Sequence, residues 1–168
     1  LLSPEETLTI YLNTLKSMNT EQMGDYLGIE SLLNTSDSDK NSIASALVEQ
    51  VHQNFDFKIT SCEEQGYTAT ISTEITTFDS SAILNTFSEE QNAYLSSADA
   101  VIDGSEKRYQ KTLEMLLNDI ENNAATIAST ADFHLTNDGV SWKLDDSNTT
   151  IGNAILGTLS SSPVNEET

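Results

Sequence analysis

The chain contains one cysteine, Cys62. A lone thiol excludes an internal disulfide, a cysteine-paired zinc centre and a dithiol redox motif. Its neighbours Glu63 and Glu64 would raise its pKa and quieten it, so it reads as a small strand residue, not a nucleophile. Basic residues are almost as scarce. Seven lysines and arginines stand against 27 aspartates and glutamates, for a net charge of −20. A surface of that sign repels phosphate backbones and anionic head groups, which sets nucleic acid aside as a partner. The charge serves solubility first; any charged partner would be a cation, a polyamine or a basic protein patch. No run approaches the roughly 20 apolar residues that cross a bilayer. There is no glycine-rich phosphate loop and no Gly-x-Ser-x-Gly elbow. The chain opens on Leu1, so a processed or truncated form is expected, with any targeting segment already removed.

What remains is a patterned chain of 168 residues, enough for one domain with its own core. Ser3-Pro4-Glu5-Glu6 is a helix start with a capping box, and Leu8, Tyr11, Leu12, Leu15 and Met18 follow at helical spacing. Thr20 opens a short second helix with Met23, Tyr26 and Leu27 inside, closed by Gly28. A polar loop is expected over 34–42, then a third helix from about Ile43 to Asn54 carrying Ile43, Leu47 and Val51. The period then changes to two. Phe55, Phe57 and Ile59 mark one strand; Tyr67, Ala69, Ile71, Thr73 and Ile75 mark the inner face of the next, with a turn at Glu64-Gln65-Gly66. Asp79 or Ser80 caps a helical region reaching about Asn122, with Ile83, Leu84, Phe87, Tyr94, Leu95, Ile102, Tyr109, Leu113, Leu116, Leu117 and Ile120 as apolar positions. Asp103-Gly104-Ser105 interrupts it, as two helices or as one kinked helix. A second hairpin follows. Ile127, Ala131, Phe133 and Leu135 point inward, Asn137-Asp138-Gly139 turns, and Val140, Trp142 and Leu144 return. A last helix over Asn148–Ser160 carries Ile151, Ala154, Ile155 and Leu159. Residues 161–168 read as a polar, disordered tail after a single domain over 1–160. The class is α+β, antiparallel hairpins with helices on one face, and nothing reads as a βαβ unit.

The Ser3-Pro4-Glu5-Glu6 start, Tyr11-Leu12, Met23-Gly24-Asp25-Tyr26-Leu27, Asp138-Gly139-x-x-Trp142-Lys143-Leu144 and Asn153-Ala154-Ile155-Leu156-Gly157 follow one another in an order that resembles bacterial lipoproteins of nuclear transport factor 2-like, or cystatin-like, fold, in an uncharacterised subgroup. The resemblance implies helices packed on a strongly curved antiparallel sheet that forms a cone, often with a pocket. Against it, the helical pair over 79–122 is an insertion between the two hairpins. The resemblance also implies a lipid-anchored, cell-surface protein whose acylated cysteine lies upstream of Leu1.

Candidate chemistry is thin. Asp37, Asp39 and Asn41 have the alternate spacing of a calcium loop, but Ser42 stands where its glycine belongs and Glu49 falls one residue late. In the plainer reading Asp39 or Asn41 caps the third helix. A ketosteroid isomerase-like pocket needs a carboxylate base and hydroxyl donors, for which Tyr11, Tyr26, Tyr67, Asp56 and Asp132 are the available groups; no spacing singles them out. His52 and His134 lie in no metal-ligand spacing. No cofactor and no catalytic residue is assigned. The expected role is a non-enzymatic extracytoplasmic module binding a small molecule or another surface protein, as monomer or dimer. By strand phase and aromatic character, Tyr11, Tyr67, Ile71, Phe133 and Trp142 line its pocket. The alternative is a protein-interaction or scaffold domain that works through 79–122, marked by an exposed apolar patch there.

Overall fold

The structure is a computed structural model that describes residues 1–27, 29, 38–160 and 164. Helix α1 (Pro4–Lys16) starts as expected: the Ser3 hydroxyl accepts from the Glu6 N–H at 3.1 Å, and the Glu6 carboxylate accepts from the Ser3 N–H at 3.1 Å. Two orphan donors are thereby satisfied. Leu8, Leu12 and Leu15 lie on its buried stripe, with Met18 buried just beyond it. Helix α2 (Thr20–Leu27) opens with a similar reciprocal pair between Asn19 and Gln22. The glycine cap expected at Gly28 lies outside the described residues. Helix α3 (Ser38–Asn54) begins earlier than expected. Residues 38–42 are its first turn rather than loop, so Asp39 and Asn41 lie inside the helix and not at its N-cap position.

Strand β1 (Asp56–Gln65) and strand β2 (Thr68–Phe78) form the first hairpin. A bulge between Ile59 and Ser61 shifts the phase of β1. Strict alternation from Phe57 and Ile59 would turn Glu63 inward. The extra residue instead puts Cys62 opposite Ile71 and leaves Glu63 exposed. On β2 the inner face is Ala69, Ile71, Thr73, Ile75 and Thr77, all buried. Tyr67 was expected to extend that face, but it belongs to the turn and is 69% exposed. The strand begins one residue after it.

Helices α4 (Ser80–Leu95) and α5 (Ala98–Glu121) stand between the hairpins. Asp79 caps α4, accepting from the Ser81 and Ala82 N–H groups. The helical region is interrupted at Gly104, as the Asp103-Gly104-Ser105 run implies, and also at Ser96-Ser97, which the sequence reading did not mark and where Ser97 caps α5. Gly104 kinks α5 in a conformation (φ 80°) that disfavours any side chain.

Strand β3 (Thr126–Asn137) pairs with β2 along its length, and the short β4 (Trp142–Asp145) pairs with residues 134–137. The sheet is an open antiparallel meander in the order β1-β2-β3-β4. Ala131, Phe133 and Leu135 are buried as expected. Ile127 and Val140 are not; they are 46% and 73% exposed. Ile127 lies beyond the stretch that β4 covers, and Val140 belongs to the turn, where Asp138 accepts from the Val140 and Ser141 N–H groups at 2.9 Å. Helix α6 (Ser147–Leu156) and a 3-10 turn (Gly157–Ser160) replace the single last helix. Helix α6 lies close on α2: a Cβ on Gly152 would come within 3.2 Å of the Leu27 carbonyl oxygen.

Among the described residues, six α-helices and four strands bury one continuous core running from Leu8 to Val164. Val164 is buried within the segment expected to be a polar tail; the rest of 161–168 lies outside the described residues. The class is α+β, with the helical pair inserted between two hairpins.

One weakness is visible in the core. The Thr73 hydroxyl is fully buried and has no protein partner. Thr73→Val keeps the shape and removes the desolvated hydroxyl. It should stabilise the fold by about 1 kcal/mol in urea denaturation, where removing a satisfied hydroxyl would have cost stability.

Candidate functional site

The five residues expected to line a pocket do not converge. Ile71 and Phe133 pair across β2 and β3 and are fully buried in the core. Tyr67 is in the hairpin turn. Trp142 is half-buried on β4, opposite Asn137. Tyr11 is half-buried on α1; its hydroxyl donates to Asn148 Oδ1 at 2.9 Å, and its ring lies 5.5 Å from that of Tyr26. Burial pushes the Tyr11 pKa up, with the neighbouring Tyr26 adding to it. A shallow surface cavity of about 460 Å³ has Tyr11, Leu144 and residues 146–149 in its lining, and none of the other four expected residues.

The remaining candidates are scattered too. Asp56 lies beside Lys16 at 3.4 Å on the surface, and Asp132 accepts from the Ser72 hydroxyl at 2.8 Å on the outer face of the sheet. His52 contacts the Met18 carbonyl at 2.7 Å and His134 contacts the Thr70 hydroxyl at 3.2 Å. Asp37 lies outside the described residues. Asp39 and Asn41, two apart on a helix, point about 200° from each other rather than toward one ion. Glu5, Cys62 and Glu64 bring three ligand-type atoms within 4.8 Å of one another. Sequence reading missed this cluster because Glu5 is on α1. Burial, and then the Glu5 and Glu64 carboxylates, raise the Cys62 thiol pKa, which keeps it protonated.

The best-built surface feature is elsewhere, at the tip of the α4–α5 hairpin. Leu95, Val101 and Ile102 are 43%, 79% and 80% exposed there. Beneath them the Asp103 side chain is only 7% exposed. It accepts from the Tyr94 hydroxyl at 2.5 Å and from Lys111 Nζ at 2.6 Å, with Lys107 Nζ 3.6 Å away. Arg108 donates to the Ala100 carbonyl at 2.7 Å. Hydrogen bonds from Lys111 and Tyr94 hold the Asp103 pKa at about 2, and desolvation with the Asp103 interaction pushes Tyr94 to about 12. Three of the chain's seven basic residues, Lys107, Arg108 and Lys111, are spent on this joint. The network fixes residues 98–103 across the Gly104 kink, so two β-branched side chains are held out in water by a rigid base. Ile102 had counted as a core position, seven residues before Tyr109. The kink takes it out of phase with Tyr109, Leu113 and Leu116.

Further down the same hairpin, α4 and α5 share a carboxyl pair. Asp119 Oδ2 is buried without a donor, and the Glu90 side chain lies against it. Burial first, and then hydrogen bonding with and charge from Glu90, raise the Asp119 pKa to about 7. Protonated Asp119 donates to Glu90; ionised, the two repel.

No protein-family model and no curated protein matches the chain. Among solved structures the α+β fold is shared with a bacterial protein. That protein is YcdA of Bacillus subtilis, described as a candidate lipoprotein, at 14% identity and a TM-score of 0.53. The similarity covers 92% of this chain and 47% of YcdA, so the chain spans about half the length of that protein. At this identity the likeness shows the fold alone. No helix among the described residues is long and apolar enough to cross a membrane.

The pH dependence of the carboxyl pair has a definite sign. A carboxyl whose folded pKa is raised adds stability that is full below its ordinary value of 3.8 and is lost as pH rises through about 7. Melting temperature should therefore fall from about pH 4 to pH 7 and level off above that. Asp119→Asn keeps a donor toward Glu90 and should flatten the slope in that window; an unchanged slope would show that the pair is not titrating there.

Proposed function

We propose that this chain is a non-enzymatic, extracytoplasmic interaction module that engages another surface protein through the tip of its α4–α5 hairpin. The observation that carries the reading is the rigid display of Val101 and Ile102, each about four-fifths exposed, on the Asp103 network. Water-exposed β-branched side chains on a mobile connection would need no explanation. Held on a buried carboxylate with three partners, they form a pre-organised anchor, and pre-organisation lowers the ordering cost of binding.

Cell-surface placement belongs to the same proposal. It rests on the sequence resemblance to lipid-anchored bacterial proteins and on the fold shared with YcdA. The cone-shaped sheet of the cystatin-like family is part of it as well; the β1 bulge is the kind of bend that such curvature requires. The small-molecule reading is weaker, because Ile71 and Phe133 fill the space between sheet and helices.

Val101→Asp with Ile102→Asp tests the tip directly. Both side chains are exposed, so folding stability should change by no more than about 0.5 kcal/mol per site. A photo-reactive amino acid at Leu95 should give a discrete covalent adduct on intact cells, and the double aspartate variant should lose it. An adduct that survives the double substitution would rule out the tip as the contact.

A further inference from the structure

The sheet has a second unpartnered feature. Strand β4 pairs only with residues 134–137 of β3, so the outer edge of β3 from Thr126 to Phe133 has no strand beside it among the described residues. Residues 126–130 are all exposed, on both faces of the sheet, although Thr76, Thr77 and Phe78 opposite them on β2 are half-buried or fully buried. An open row of backbone donors and acceptors invites another strand, and proteins usually guard such rows with charge, proline or bulges. The other long edge is guarded in that way: β1 carries Asp56, Lys58, Glu63 and Glu64 and a bulge after Ile59. The β3 edge has no guard. No ionisable side chain lies between Glu121 and Asp132, in a chain of net charge −20.

We propose that the β3 edge pairs antiparallel with the same edge of a second copy of this chain, across a two-fold axis at Ser129. Residues directly opposite in an antiparallel pair point to the same face, so the axis must pass through a residue and not between two. An axis at Thr130 would place Thr126 opposite His134, which already pairs with Asp145. An axis at Ala128 pairs fewer residues. Ser129 gives the longest pairing that leaves β4 in place: Ile127 of each copy stands opposite Ala131 of the other, and Ala128 opposite Thr130.

The side chains on that face are self-complementary. Ile127 protrudes, 46% exposed, on the face that Ala131 and Phe133 bury. Next to it lies a groove of about 430 Å³ lined by Ser129, Thr130 and Ala131 of β3 and Thr150, Asn153 and Ala154 of α6. In the paired arrangement, Ile127 of one copy enters the small-residue groove of the other, and the reverse, which is the isologous contact a two-fold dimer needs. The edge also brings two strongly acidic chains together along residues 126–131, which carry no charge. Asp132, opposite Thr126, is already hydrogen bonded to Ser72 at 2.8 Å.

Sedimentation of the full chain up to about 1 mM should show a monomer–dimer equilibrium that tightens with salt, because salt screens the repulsion between the two copies. Ser129→Asp sets two carboxylates against each other on the axis and should weaken the dimer by about fivefold. In a Cys62→Ser background, Ser129→Cys should form linked dimers on oxidation, since opposite residues lie within disulfide reach. Thr130→Cys faces Ala128 of the other copy and should link far less. A monomer at every concentration and salt, or equal linkage at 129 and 130, overturns the proposal.

Discussion

The molecule is organised around the inner face of β2. Five alternating residues, Ala69, Ile71, Thr73, Ile75 and Thr77, are buried there, with β1 along one side and β3 along the other. Helices α1, α3 and α6 all pack on this strand. Slipping its register by one residue would exchange that face for Thr68, Thr70, Ser72, Glu74 and Thr76. No other element has this leverage. The helical pair packs on α3 and on the 3-10 turn Gly157–Ser160, so it can carry solvent-exposed features without opening the core.

Most of this was legible from side-chain period. The α1 stripe, the β2 face and the inner residues Ala131, Phe133 and Leu135 follow from spacing alone, because burial on one face imposes the pattern. Three of the errors share an origin, which is phase. A bulge in β1 reassigns Cys62 and Glu63. The first β2 residue, Tyr67, falls in the turn. The Gly104 kink detaches Ile102 from the helical stripe whose spacing it shares in the sequence. Each is a one-residue event that leaves composition and average period unchanged.

The candidate site was legible only as an alternative. Aromatic character and strand phase drew attention to Tyr11, Tyr67, Ile71, Phe133 and Trp142, and the fold spreads them over the core, a turn and two surfaces. The tip of the helical pair did leave a trace in the sequence. Adjacent Val101 and Ile102 before Asp103-Gly104, followed by three of the seven basic residues within 107–111, is an unusual local use of scarce charge. What sequence could not show is that those bases turn inward to Asp103 and Ala100 and thereby stiffen the tip. The role proposed for the apolar residues on this strongly acidic domain is recognition of another protein.

The most direct measurement is amide hydrogen exchange of the isolated protein over residues 98–103. If the Asp103 network holds the tip, those amides with partners in the helix exchange far more slowly than an open chain, nearer to 105–121, and Asp103→Ala releases them selectively. Exchange at the open-chain rate in the unmodified protein would mean that the tip is a loose connection, and the account of it as a pre-formed docking surface would fail.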